Sequence, residues 1–209
     1  MNNAEKIISL QNLYDSSTRD EILNALNTAI AIGKDRKLKV DRYIALPEVT
    51  GRSKYAVMSW FNRPDKIIPL IDLCMIANYL SYNIFTFFKI KKDVITFDDF
   101  LETNKYCVEH YPSDAADVYI KAFKLQKSTD KDIIVDNLEK LYGSTADILK
   151  HHSNARQKTI MDISGCTLYT YRTWFNRSRK EAKIPLIPLC KLAIGAVVDI
   201  FYMFEVHDK

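Results

Sequence analysis

"TGRSKYAVMSWFNR" (Thr50–Arg63) lies over "SGCTLYTYRTWFNR" (Ser164–Arg177) without a gap, 114 positions apart. Gly51 meets Gly165, Ser53 meets Thr167, Tyr55 meets Tyr169 and Trp60 meets Trp174. Beyond the shared Trp-Phe-Asn-Arg the second copy gains two residues, and the match resumes. "IIPLIDLCMIANYLSYNIFTFF" (Ile67–Phe88) pairs with "KIPLIPLCKLAIGAVVDIFYMF" (Lys183–Phe204). Upstream, "SSTRDEILNAL" resembles "KSTDKDIIVDNL". Similarity at a fixed spacing over this length marks a duplicated domain.

Each copy reads as helices. Thr18 with Glu21 three residues on forms a capping box, and Gly33 fits the C-terminal stop of that helix. Ser53 and Thr167 are N-cap residues for short helices over Lys54–Asn62 and Leu168–Asn176. The next helices run from Pro69 and Pro185, with apolar residues three or four apart at Leu70, Leu73, Ile76, Ala77 and Leu80. Between the copies, Thr96 caps a helix over Phe97–His110, "YPSD" breaks it, and Asp114–Lys127 is helical again. The expected organisation is a first domain over residues 1–90, a helical connector over 91–127 and a second domain over 128–209.

Gly51 and Gly165 are each separated by one residue from a polar cap, between two short helices, as a tight turn between helices requires. The pattern apolar, five residues to Gly, then Ser or Thr, then apolar and Trp reads Leu46, Gly51, Ser53, Val57, Trp60. In the second copy it reads Ile160, Gly165, Thr167, Tyr171, Trp174. This resembles the helix-turn-helix of the lambda-repressor-like (Cro/repressor) family. "P-x-x-x-L-x-x-I-A-x-x-L" at Pro69–Leu80 looks like the segment that follows the recognition helix there. The resemblance implies an all-α chain of two tandem helix-turn-helix domains. Pro47 stands where the family has a small residue, so this first motif helix is expected to begin late, at about Leu46.

The 209 residues are 47% apolar and 27% charged, an ordinary globular balance, and carry only 5 Gly and 6 Pro. No Cys-x-x-Cys pair or metal-ligand spacing occurs, no phosphate-binding glycine loop, and no nucleophile–base arrangement. No enzyme, metal or cofactor is therefore expected. Three of the four cysteines lie in apolar helical patterns and read as buried free thiols. His151–His152 reads as a surface pair. The two apolar runs Ile68–Phe88 and Ile184–Phe204 contain Asp72, Asn78, Lys191 and Asp199, so buried core helices are expected rather than membrane spans. With no signal peptide, the expected location is cytoplasmic.

Net charge is only +4, but its distribution is uneven. Lys34–Lys66 holds nine Lys/Arg against four Asp/Glu, and Lys150–Lys183 eight against two, so the rest of the chain carries −7. Positive charge thus gathers around the two Trp-bearing helices, as phosphate contact requires. On a helix after Ser53, Val57 and Trp60 face inward, while Lys54, Tyr55, Met58, Ser59 and Asn62 face outward. After Thr167, Tyr171 and Trp174 face inward, while Leu168, Tyr169, Arg172, Thr173 and Asn176 face outward. The resemblance sets Lys54, Tyr55, Leu168, Tyr169 and the pairs Met58–Ser59 and Arg172–Thr173 against base edges. Arg172 suits bidentate guanine contact, and Tyr169 or Leu168 a thymine methyl. Arg52, Lys54, Arg63, Arg177, Arg179 and Lys180 suit phosphates. Other roles stay open: Tyr55 and Tyr169 as packing on the next helix, and "RSRKEAK" as a solvated loop.

The function implied is sequence-specific binding of double-stranded DNA by a transcriptional regulator, a repressor-like bacterial or phage protein. It would use two recognition helices per chain, acting alone or as a homodimer. The alternative is a protein-interaction module on the same scaffold, an antirepressor or an inhibitor of phage or host machinery. Phe61 and Phe175, at positions the family often leaves polar, would serve that contact.

Overall fold

The structure, a computed structural model, describes residues 1–35, 42–147 and 155–207. Among these the chain is all-α, with twelve helices and no strand. They are α1 (Asn3–Asp15), α2 (Arg19–Asp35), α3 (Ala45–Thr50), α4 (Lys54–Asn62), α5 (Leu70–Leu80) and α6 (Thr86–Lys89). Then come α7 (Phe97–His110), α8 (Ala115–Ser128), α9 (Lys131–Asp147), α10 (Ala155–Ser164), α11 (Leu168–Phe175) and α12 (Leu186–Gly195). A short 3₁₀ helix, Ile200–Phe204, follows. No helix among the described residues is long and apolar enough to cross a membrane.

The chain divides into two compact units, Ser9–Ile120 and Met1–Ile8 with Lys121–Lys209. The first holds α2 to α7, and the second holds α9 to the 3₁₀ helix; α1 and α8 each cross the division. Both units repeat one packing scheme. In the first, α3 packs on α5 and α4, and α2 on α6; in the second, α10 packs on α12 and α11, and α9 on the 3₁₀ helix. Of the segment read as a connector, α7 belongs to the first unit, where it packs against both α2 and α6. Phe100 of α7 is fully buried against Tyr82 and Phe87.

Local chemistry accounts for most boundaries. Thr18 and Glu21 exchange the two hydrogen bonds of a capping box at the start of α2, and Thr96 with Asp99 does so at α7. Asn2 and Glu5 make a third box ahead of α1, whose buried Ala4, Ile7 and Leu10 recur every three residues. That helix is absent from the sequence reading although its signal is there. Gly33 does not end α2, which runs on to Asp35: an interior glycine costs about 1 kcal/mol, and burial of Ile22, Leu26 and Ile30 along one face outweighs it. α3 begins at Ala45, which puts Pro47 in its first turn where no intrahelical N–H is needed. Asn176 caps α11 rather than ending it.

The long apolar runs are broken in the same way in both copies. Ser81 and Val197 take left-handed backbone with φ of 58° and 56°. The next residue's N–H, of Tyr82 or Val198, then bonds back to the carbonyl of Ala77 or Ala193 at 3.0 Å. Asn83 and Asp199 each accept from the N–H two residues on, starting the final helical turn. Cys74, Cys107 and Cys190 are buried free thiols, and Cys166 is half-buried. Burial pushes the Cys190 thiol up to about 12 and raises Cys74 and Cys107 as well, which suits packing rather than reactivity.

Gly51 and Gly165 hold φ of 67° and 73°, and nothing lies within 4 Å of a Cβ built on either. The cost of a side chain there is therefore purely one of backbone. Gly51→Ala and Gly165→Ala should each destabilise by about 1 kcal/mol, lowering Tm by roughly 2–4 °C. Gly143→Ala, at a helical position of α9 with only the Arg156 tip at 4.0 Å, should instead stabilise by about 0.5–1 kcal/mol. Thermal unfolding followed by circular dichroism reads both signs.

Candidate nucleic-acid interface

The turn that launches α4 and α11 is built twice with the same bonds. Thr50 donates its hydroxyl to the Leu46 carbonyl at 2.7 Å and accepts the Arg52 N–H at 3.4 Å. Ser164 donates to the Ile160 carbonyl at 2.6 Å and accepts the Cys166 N–H at 3.3 Å. One hydroxyl thus ties the helix before the glycine to the backbone after it. Ser53 then accepts the Ala56 N–H, and Thr167 the Thr170 N–H, each at 3.2 Å. The caps are consequently engaged with their own helices.

The inner faces are closed. Val57 and Trp60 are 0% and 5% exposed, and Tyr171 and Trp174 are 7% and 4%. The outer faces are open: Tyr55 is 83% exposed and Tyr169 72%, so neither packs on the following helix. Lys54, Asn62, Leu168 and Arg172 are exposed, while Met58, Ser59 and Thr173 are half-buried. Ser59 donates its hydroxyl to the Ala56 carbonyl and Thr173 to the Tyr169 carbonyl, leaving their oxygens as the outward-facing capacity. Asn176 turns its side-chain oxygen onto the N–H and hydroxyl of Ser178.

The cations fall into two groups. Arg52 places its Nε 3.1 and 3.0 Å from the two oxygens of Asp72, a carboxylate 2% exposed. Arg63 pairs with the exposed Asp65, and Arg177 with Asp136 and Glu139 of α9 at 2.6 and 3.0 Å. Those two carboxylates raise the Arg177 pKa. Lys54, Arg172, Arg179 and Lys180 make no ion pair among the described residues. Arg172 and Leu168 also edge an open groove of about 580 Å³ with Lys158 and Met161 of α10. The pair His151–His152 and the basic residues Arg36, Lys37, Lys39 and Lys150 lie outside the described residues.

Phe61 and Phe175 are half-buried and partnered. Phe61 meets Tyr43 edge-on at 6.3 Å with the Arg42 guanidinium over its ring at 4.6 Å. Phe175 stacks on Tyr171 at 4.4 Å.

Two residues that the sequence reading passes over hold the far ends of these helices. Arg19, the first residue of α2, donates to the carbonyls of Trp60 and Lys66, each at 2.9 Å. Lys131, the first residue of α9, donates to the carbonyls of Thr173, Asn176 and Arg179 at 3.0, 2.9 and 2.8 Å. Lys131 is 1% exposed, and burial lowers its pKa. The signal lay in the alignment of "TRDEIL" with "DKDIIV", where both copies carry a cation at the same place.

Among the described residues no three His, Cys, Asp or Glu side chains are grouped to hold a metal. The chain matches no protein-family model, no curated protein and no solved structure.

Arg52 and Arg63 should behave differently on truncation. Arg52→Ala removes the cation facing a buried carboxylate and should cost about 1–3 kcal/mol in urea unfolding. Arg63→Ala breaks a pair exposed on both sides and should cost no more than about 0.5 kcal/mol.

Proposed function

We propose that the chain is a sequence-specific double-stranded DNA-binding protein, a transcriptional regulator with two lambda-repressor-like helix-turn-helix units in tandem. α4 and α11 are the recognition helices, and each enters a major groove. The observation that carries this reading is the division of each helix into two faces. Val57 with Trp60, and Tyr171 with Trp174, are packed inward. Outward stand exposed Tyr55 and Tyr169 with Lys54 and Arg172, cations that make no ion pair among the described residues. A protruding helix with a rigid inner face and an unspent cationic outer face is what groove reading needs.

Within this proposal the roles divide by availability. Arg172 reads a base edge, Tyr169 and Leu168 meet a thymine methyl, and Lys54, Arg179 and Lys180 meet phosphates. Arg52 braces Asp72 from inside the turn. Arg63 and Arg177 reach phosphate only by exchanging a carboxylate for it. The alternative is a protein-interaction module on the same scaffold; Phe61 and Phe175, which would suit its contact, are half-buried and also have partners within the fold.

The outward residues differ between the copies, so the two half-sites should differ. Selection from a random duplex library should return an asymmetric site. Arg172→Ala should weaken binding to it by about 1–3 kcal/mol and relax the preference at one position. A palindrome as the best site would instead require a homodimer of tandem chains.

A further inference from the structure

Each helix of the proposed interface ends in carbonyls with no partner along the helix. Such an end frays unless something outside collects those oxygens, and a cation is favoured there by the helix dipole. In this chain the collector is the same structural position twice over. Arg19 and Lys131 are the first residues of the long helices α2 and α9, each of which runs for 17 residues. Each reaches the carbonyl of the third residue from the end of its short helix, Trp60 of α4 or Thr173 of α11. Each also takes a carbonyl from the segment that follows, Lys66 in one copy and Asn176 and Arg179 in the other. The Lys131 ammonium has three N–H donors, and all three are used.

The two copies achieve this with different chemistry. One uses a guanidinium whose side chain is 18% exposed, the other an ammonium on a residue that is 1% exposed. The cations stand at matched positions of α2 and α9 and each closes the end of its short helix, although the carbonyls they take are not the matched ones. Neither cation offers itself to a phosphate: the Lys131 donors are turned onto backbone oxygens, and Arg19 divides its donors between two backbone oxygens and the Asp20 carboxylate at 2.9 Å.

We propose that Arg19 and Lys131 are positioning residues that clamp the C-terminal end of each recognition helix, and thereby govern how sharply the chain discriminates between duplex sequences. The inference rests on the DNA-binding reading. A helix held at one end by its cap and at the other by a multidentate cation presents its base-reading residues in a single register. A helix held only at the cap presents several, and binds matched and unmatched sequences more alike.

The test uses the full chain with Lys131→Met, which keeps the stem and removes the donors, and Lys131→Arg, which supplies copy one's residue. In the free protein, amide exchange over residues 176–183 should be at least ~10-fold faster in Lys131→Met, with α12 unchanged. The ratio of affinities for the selected duplex and a random-sequence duplex should fall by about 10-fold. Binding to the random duplex, and its salt slope, should stay as in the parent because no phosphate contact is lost. Lys131→Arg should restore most of the ratio. Unchanged exchange, an unchanged ratio, or an equal loss on both duplexes would each overturn the clamp. Should Lys131→Met not fold, Arg19→Met gives the same reading over residues 60–67. A parent chain that binds no duplex sinks the DNA reading and the discrimination role with it, while the exchange rates still decide whether the clamp exists.

Discussion

The left-handed turn at Gly51 and Gly165 is the constraint on which both units depend. At φ near 70° the chain reverses within one residue, and the flanking helix ends are laced by a single Thr50 or Ser164 hydroxyl. This sets the angle at which α4 and α11 leave the turn. With that angle, Trp60 and Trp174 fall inward, two residues and one residue before the ends of α4 and α11. The burial of an indole is worth several kcal/mol, so the turn and the tryptophan act together: one aims the helix, and the other seats it.

Duplication supplies an internal comparison. The hydroxyl of the turn, the N-cap, the left-handed stop at Ser81 or Val197 and the Asn83 or Asp199 turn recur with the same bonds. These are the parts that backbone geometry demands. The copies part company in charge. Arg52 and Asp72 of the first are matched by Cys166 and Pro188 in the second, so its buried ion pair has no counterpart. Asp136 and Glu139, which hold Arg177, are matched by Asn24 and Asn27, so Arg63 turns to Asp65. The identical Asn-Arg letters therefore sit in unlike fields, and the two proposed reading heads are unequal in charge as well as in sequence.

Much of this was legible beforehand. The all-α class, the inward tryptophans, the Ser53, Thr167 and Thr96 caps and the helices α7 and α8 follow from periodicity and capping chemistry, which act within a few residues. What escaped depends on contacts distant in sequence. Nothing near Arg52 announces that Asp72, twenty positions on, will be buried beside it. Lys131 looks like one more helix-start charge until α11 folds back to meet it, 42 to 48 positions later. Gly33 misled for a different reason, since local propensity there is outweighed by the buried face of α2.

The central claim is that the outer faces of α4 and α11 bind duplex DNA through unspent cations. Affinity of the purified chain for a fluorescent random-sequence duplex, measured as salt rises from about 50 to 200 mM, tests it most directly. The account predicts clear binding at the low end and a steep linear fall of log affinity with log salt. No binding at the low end would contradict it and return the outer faces to a protein partner.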